Sequence, residues 1–128
     1  MNPLVSYPID KDTPTSHLPF SPAVRVGDLI FVSGQASVDV TGKIVPDTFE
    51  GEFRRSVENL RKVLQTAGSD LQHVIQTRNY VRDAANVPRY NELYREYFSA
   101  PFPSRTTITN CLPPTLHYEI ECIAVAKA

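Results

Sequence analysis

The stretch that most constrains the fold is residues 117–125, His-Tyr-Glu-Ile-Glu-Cys-Ile-Ala-Val. Side chains alternate across a strand. Tyr118, Ile120, Cys122 and Ala124 then form one unbroken apolar row, while His117, Glu119, Glu121, Ile123 and Val125 face the other way. A helix would scatter both sets around its circumference, so the segment is expected to be a strand whose second face begins acidic and ends apolar. Another strand-like run lies just before it at 103–108, where the same alternation puts Arg105, Thr107 and Thr109 on one face and Ser104, Thr106 and Ile108 on the other. Alone, Arg105 and Glu119 read as an exposed cross-strand ion pair. Held in a crevice, the same guanidinium and carboxylate would grip a small anion and position a water.

Upstream, Pro3, Pro8, Pro14, Pro19 and Pro22 keep the first twenty-odd residues from forming a helix and leave room for one short strand near 4–9. Residues 23–26 and 29–33 read as β runs joined by a tight turn at Gly27-Asp28, and a second turn falls at Thr41-Gly42. From about 49 to 68, Phe53, Val57, Leu60 and Leu64 recur at helical spacing with Arg54, Arg55, Glu58, Arg61 and Lys62 around the other side, and Gly68 stops the helix. Residues 73–82 are β-like. Asn86 is expected to cap a second helix with Pro88 in its first turn and Val87, Tyr90, Tyr94 and Phe98 as its buried stripe; Pro101 and Pro103 end it. The order β, β, β, α, β, α, β, β predicts an α+β sandwich, a mostly antiparallel sheet with both helices on one face, spanning 1–128 as one domain. The uncovered face, ending in Ile123 and Val125, is a surface for self-association into a closed ring with clefts between copies.

With 128 residues and a formal charge of −1, the chain has no electrostatic bias toward nucleic acid. Its helix arginines and lysine are interleaved with Glu50, Glu52 and Glu58, which reads as a solvated surface. A start without a basic leader or apolar core, and no segment of membrane-spanning length, predict a cytosolic protein. Cys111 and Cys122 are expected in the last two strands as buried, inert thiols, and His17, His73 and His117 show no metal-binding spacing, so no metal is expected.

Val32-Ser33-Gly34-Gln35, Ser56-Val57-Glu58-Asn59-Leu60, Tyr90-Asn91, Pro103-Ser104-Arg105 and Glu119-Ile120-Glu121 together resemble the reactive intermediate deaminase (RidA, or YjgF-like) family over residues 19–128. The resemblance implies a chorismate-mutase-like fold closing into a trimeric barrel, a homotrimer with pockets between subunits, and hydrolysis of imines or enamines without a cofactor. It assigns Arg105 to the substrate carboxylate and Glu119 to the attacking water, and places Ser33 in the same pocket. Gly34, Phe20, Asn91 and Thr107 complete the implied substrate-binding set. Many family deaminases carry tyrosine in place of Phe20 and cysteine in place of Thr107, so no phenol hydroxyl is available at the first position. Two positions keep a local reading: Asn91 as a helix-surface residue and Ser33 as a strand-end hydroxyl.

The activity expected on this basis is hydrolysis of 2-imino acids such as 2-iminobutanoate and 2-iminopropanoate to 2-oxo acids and ammonia. Alternatives are a pathway-specific deaminase of aminomuconate or aminoacrylate type, a non-catalytic trimer that binds metabolites, and, least favoured by the charge balance, an RNA-binding protein.

Overall fold

In the computed structural model, which describes residues 4–14 and 16–128, the alternating segment is the strand Tyr118–Val125. Its apolar row is buried, with Tyr118, Ile120 and Ala124 at 0% exposure and Cys122 at 5%. In chain order the elements are β1 (Val5–Ser6), β2 (Ala23–Val26), β3 (Leu29–Ala36), α1 (Phe49–Thr66), β4 (Val74–Val81), α2 (Val87–Tyr97), β5 (Ser104–Thr109) and β6 (Tyr118–Val125). The predicted order of strands and helices is thus observed. Pro3 lies outside the described residues, and the strand expected near 4–9 shrinks to two residues before Pro8.

The six-stranded sheet runs β1-β2-β3-β6-β4-β5. Every pairing is antiparallel except β4 with β5, which α2 joins by a crossover long enough to bring the chain back in the same direction. β4 therefore separates β5 from β6, and the two closing strands of the sequence are not neighbours.

Helix α1 begins where the Thr48 side chain accepts the Gly51 N–H at 3.1 Å. It ends before Gly68, whose φ of +91° suits a residue without Cβ. The Arg25 guanidinium donates to the Ala67 carbonyl at 2.8 Å, satisfying an acceptor that the helix leaves free. Phe53, Val57, Leu60 and Leu64, each at 0% exposure, pack against β3 and β6. Burial of each contributes roughly 1.5–3 kcal/mol.

Four expectations need correction. A short 3-10 turn, Ala84–Asn86, precedes α2, so the first free N–H groups occur earlier in the chain and Asp83 caps them, accepting from Ala85 at 2.9 Å; Asn86 makes no side-chain cap. The α2 stripe includes Leu93 at 0% exposure, while Val87 is only partly buried. Cys111 lies beyond β5, half-buried between Asn110 and Leu112, both with positive φ. Glu52 is not on a solvated face: at 1% exposure it is buried in the first turn of α1. Its Oε1 accepts from the His117 N–H at 2.8 Å, and its Oε2 lies 2.8 Å from His117 Nδ1.

Both helices cover one face of the sheet. The registers place Val24, Val26, Leu29, Phe31, Ile123 and Val125 together on the other, where Leu29 and Phe31 are each 42% exposed. No described helix is long and apolar enough to cross a membrane.

Candidate active site

Arg105 on β5 pairs with Thr77 on β4, which pairs with Cys122 on β6. Directly paired residues share a face, so Arg105 lies on the helix-covered side, under α2. Its guanidinium carbon sits 4.9 Å from the centroid of the Tyr90 ring and 5.0 Å from that of Tyr94. Both rings are fixed by their hydroxyls: Tyr90 to Thr107 Oγ1 at 2.9 Å and Tyr94 to Thr77 Oγ1 at 2.8 Å. Burial pushes the Tyr90 phenol up to about 12 and raises that of Tyr94, so both stay neutral beside the cation. The rings hold a planar guanidinium by their faces, which an ammonium would match less well.

Asn91, Tyr94, Arg95, Phe102, Pro103 and Arg105 line a cavity of about 250 Å³ at this position. Among the described residues, no carboxylate lines it. Among the described residues Arg105 has no ion-pair partner, whereas Arg54, Arg55, Arg61 and Arg89 on the helices are paired with Glu50, Glu96, Asp47, Glu58 and Glu92. Thr107 is on the same face as Arg105, its hydroxyl engaged with Tyr90.

Glu119 is placed differently. It pairs with Tyr80 on β4 and with Ala36 on β3, which puts it on the face without helices. There it lines a second cavity of about 230 Å³ with Phe20, Gly34, Leu18, Pro22 and Leu116. The β3–β6 register shifts between Val32 and Gln35, a bulge that carries Ser33 and Gly34. A Cβ on Gly34 would stand 2.6 Å from Glu119 Oε1, so the missing side chain is what lets the carboxylate lie against β3. Burial first, and the Glu121 charge second, raise the Glu119 carboxyl above its ordinary 4.5. Glu121 itself accepts from the Tyr80 hydroxyl at 2.5 Å.

Gly34→Ala is accordingly expected to fold with near-wild-type stability, because the carboxylate can swing aside. Thermal unfolding checks it; a large fall in Tm would show that the carboxylate cannot move aside.

The sequence-predicted site residues thus fall into two groups. Asn91, Arg105 and Thr107 gather under α2. Phe20, Gly34 and Glu119 gather on the opposite face, with Ser33 beside them but lining neither cavity: its hydroxyl donates to the Ser21 carbonyl at 2.6 Å and fastens the segment that carries Phe20. Arg105 and Glu119 are two strands apart, roughly 10 Å sideways, and on opposite faces, so the cross-strand ion pair does not form.

Sequence reasoning missed the support beneath Arg105. Thr77 and Asn79, both at 0% exposure, link Tyr94 to Tyr118: Asn79 Nδ2 donates to Thr77 Oγ1 at 3.0 Å, and the Tyr118 hydroxyl donates to Asn79 Oδ1 at 2.5 Å. Their signal is the alternation of β4, where Thr77, Asn79 and Val81 share a face. Arg95 and Phe102 were missed too, although Arg95 follows Asn91 by one helical turn.

These features define an α+β protein with two cavities on opposite faces of one sheet, one lined by arginines and one by a glutamate. The chain belongs to the family described as Endoribonuclease L-PSP, matched over residues 10–126, which is the YjgF/RidA family its motifs resemble. It is 36% identical over 108 residues to a RutC family protein of Pyrococcus abyssi, covering 83% of this chain and 85% of that one. It is 35% identical over 109 residues to the 2-iminobutanoate/2-iminopropanoate deaminase of Mus musculus, covering 84% and 81%. Among solved structures, E. coli TdcF with bound serine aligns with a TM-score of 0.84 at 28% identity, covering 95% of this chain and 99% of that one.

Proposed function

We propose that the protein hydrolyses 2-imino acids such as 2-iminobutanoate and 2-iminopropanoate to 2-oxo acids and ammonia, in clefts that neighbouring copies of a homotrimer build together. One observation carries this reading: the cation and the carboxylate that the chemistry requires lie on opposite faces of one sheet, each at its own cavity. A ring in which one copy's Arg105 side meets the next copy's Glu119 side would complete every cleft, and the exposed apolar sheet face supplies a surface for such packing. The mouse relative's name gives this substrate class, and the serine-bound relative holds a small molecule with a carboxylate. The pairing of Arg54, Arg55, Arg61 and Arg89 with acids removes most of the free charge that the helices would offer an RNA backbone.

In this mechanism Arg105 holds the substrate carboxylate through two parallel N–H donors, which fixes the adjacent imine carbon. Glu119 takes a proton from a water as its oxygen bonds to that carbon, and the C=N π pair moves to nitrogen. With the imine entering protonated, the nitrogen is then a neutral amine; it receives that proton from Glu119, the C–N bond breaks with its electron pair on departing ammonia, and the oxygen closes to a carbonyl as its remaining proton passes to Glu119. The electrophile needs positioning more than an activated nucleophile. Phe20, from the Glu119 half, would pack on the substrate side chain, and Asn91 and Thr107 would complete the Arg105 half.

The test is complementation. Arg105→Ala and Glu119→Gln are each expected to be inactive, and random mixing of the two should restore about a quarter of wild-type activity, the statistical share of intact clefts in a three-copy ring. No recovery on mixing would remove the shared-cleft reading. Binding of 2-oxobutanoate without faster ammonia release by the wild type would leave a metabolite-binding protein instead.

A pH profile gives a further check. Glu119 must be ionised to accept a proton, and its carboxyl is raised by burial and by Glu121. Bound substrate offsets the Arg105 charge, so kcat should fall on acidification through an apparent pKa above the ordinary glutamate value of 4.5. An acid limb at or below that value would contradict the role.

A further inference from the structure

The cavity beside Arg105 contains a second guanidinium. Arg95 lines the same space of about 250 Å³ together with Asn91, Tyr94, Phe102 and Pro103. Its one hydrogen bond to a described residue is a long one, from Nη1 to the Asn91 carbonyl at 3.4 Å, within its own helix. The acid next to it in sequence, Glu96, is turned away to Arg54 at 3.1 Å. Among the described residues, neither Arg95 nor Arg105 is paired with a carboxylate, although the other arginines of the two helices are. Two uncompensated cations at one cavity, with no acid in its wall among the described residues, raise the local preference for a ligand that carries two negative charges.

Resting on the deaminase reading, we propose that Arg95 is a specificity-determining residue that selects dicarboxylic 2-imino acids over monocarboxylic ones. Arg105 holds the carboxylate next to the imine carbon, and Arg95 takes the carboxylate at the far end of the chain. Phe102 and Pro103 form the apolar wall along the methylene groups between them. A guanidinium suits the second position because it accepts a carboxylate edge-on with two donors. The side chain is exposed, so its replacement leaves the core untouched.

The experiment compares 2-iminoglutarate with 2-iminopropanoate, each generated in place by an amino acid oxidase and followed by competition with semicarbazide. Arg95→Ala should lower the dicarboxylate-to-monocarboxylate ratio of kcat/KM by about tenfold, the value of one charge-assisted contact, and Arg95→Glu should lower it further. A ratio unmoved in both variants overturns the proposal. A second arm avoids turnover: the calorimetric Kd ratio for 2-oxoglutarate against 2-oxobutanoate should shift in the same direction. A shifted binding ratio in a protein that hydrolyses neither imine would sink the deaminase reading and keep the role of Arg95. Hydrolysis with an unshifted ratio would do the reverse, and a wild type that binds neither oxo acid would sink the role of Arg95.

Discussion

Replacing Arg105 by alanine is expected to lower kcat/KM for 2-iminobutanoate by at least roughly 10²-fold, the loss that follows when a substrate anchor no longer fixes the reacting atom. The fold should survive. The guanidinium lies over Tyr90 and Tyr94 at an exposed edge, where such a contact contributes about 0.5–1 kcal/mol, and those rings keep their own hydrogen bonds to Thr107 and Thr77. Arg105→Lys should recover little, because an ammonium keeps the charge but loses the planar fork and the stacking. The assay couples a threonine dehydratase to semicarbazide capture of its imine: wild-type protein should suppress trapping and the variants should not. Undiminished turnover in Arg105→Ala would remove the carboxylate clamp.

The largest stability effect is expected away from the chemistry, at Glu52. Its carboxylate is nearly fully buried and joins three pieces of chain. It accepts from the His117 backbone at 2.8 Å, meets His117 Nδ1 at 2.8 Å, and receives the Asp47 N–H at 3.3 Å. Glu52→Ala leaves these donors without an acceptor and opens space beneath the start of β6, so a loss of about 3 kcal/mol is expected. That corresponds to a fall in Tm of roughly 10 °C. His117→Ala should cost less, about 1 kcal/mol, because the backbone N–H keeps its bond to Oε1. Urea unfolding followed by circular dichroism compares the two; equal losses would mean that the side-chain pair, not the backbone anchor, is what matters.

Glu52 also shows what was legible in the sequence. Local patterns give β2 to β6 and both helices, because alternation, tight turns and the 3.6-residue repeat are properties of neighbouring residues, whereas β1 rests only on prolines that bar a helix. The interleaving of charges along α1 places Glu52 with the solvated acids Glu50 and Glu58. Yet it shares a helical stripe with Ser56 and Asn59, spaced by four and three residues and buried beside Phe53 and Val57. A stripe of polar residues at core spacing signals a buried network, and Asn59 does bind the Ala36 and Val38 carbonyls at 2.9 and 3.0 Å. Strand order was not legible. Nothing in residues 104–125 says that β4, some twenty-five residues upstream, inserts between β5 and β6. Hence the alternation rule put Arg105 and Glu119 on correct local faces but could not show that those faces are opposite sides of the sheet. Ser33-Gly34 reads as a strand end with a turn, yet β3 runs on to Ala36 and the pair forms a bulge within it. The purpose of its glycine, room for a carboxylate from another strand, exists only once β3 and β6 are paired.

The row of Leu29, Phe31 and Ile123 on the helix-free side has a practical result for anyone handling this protein. If like chains cover that wall, heat resistance obeys mass action: diluting the sample should lower its melting temperature, and concentrating it should raise it. A single figure quoted without the protein concentration would then describe the test tube as much as the molecule.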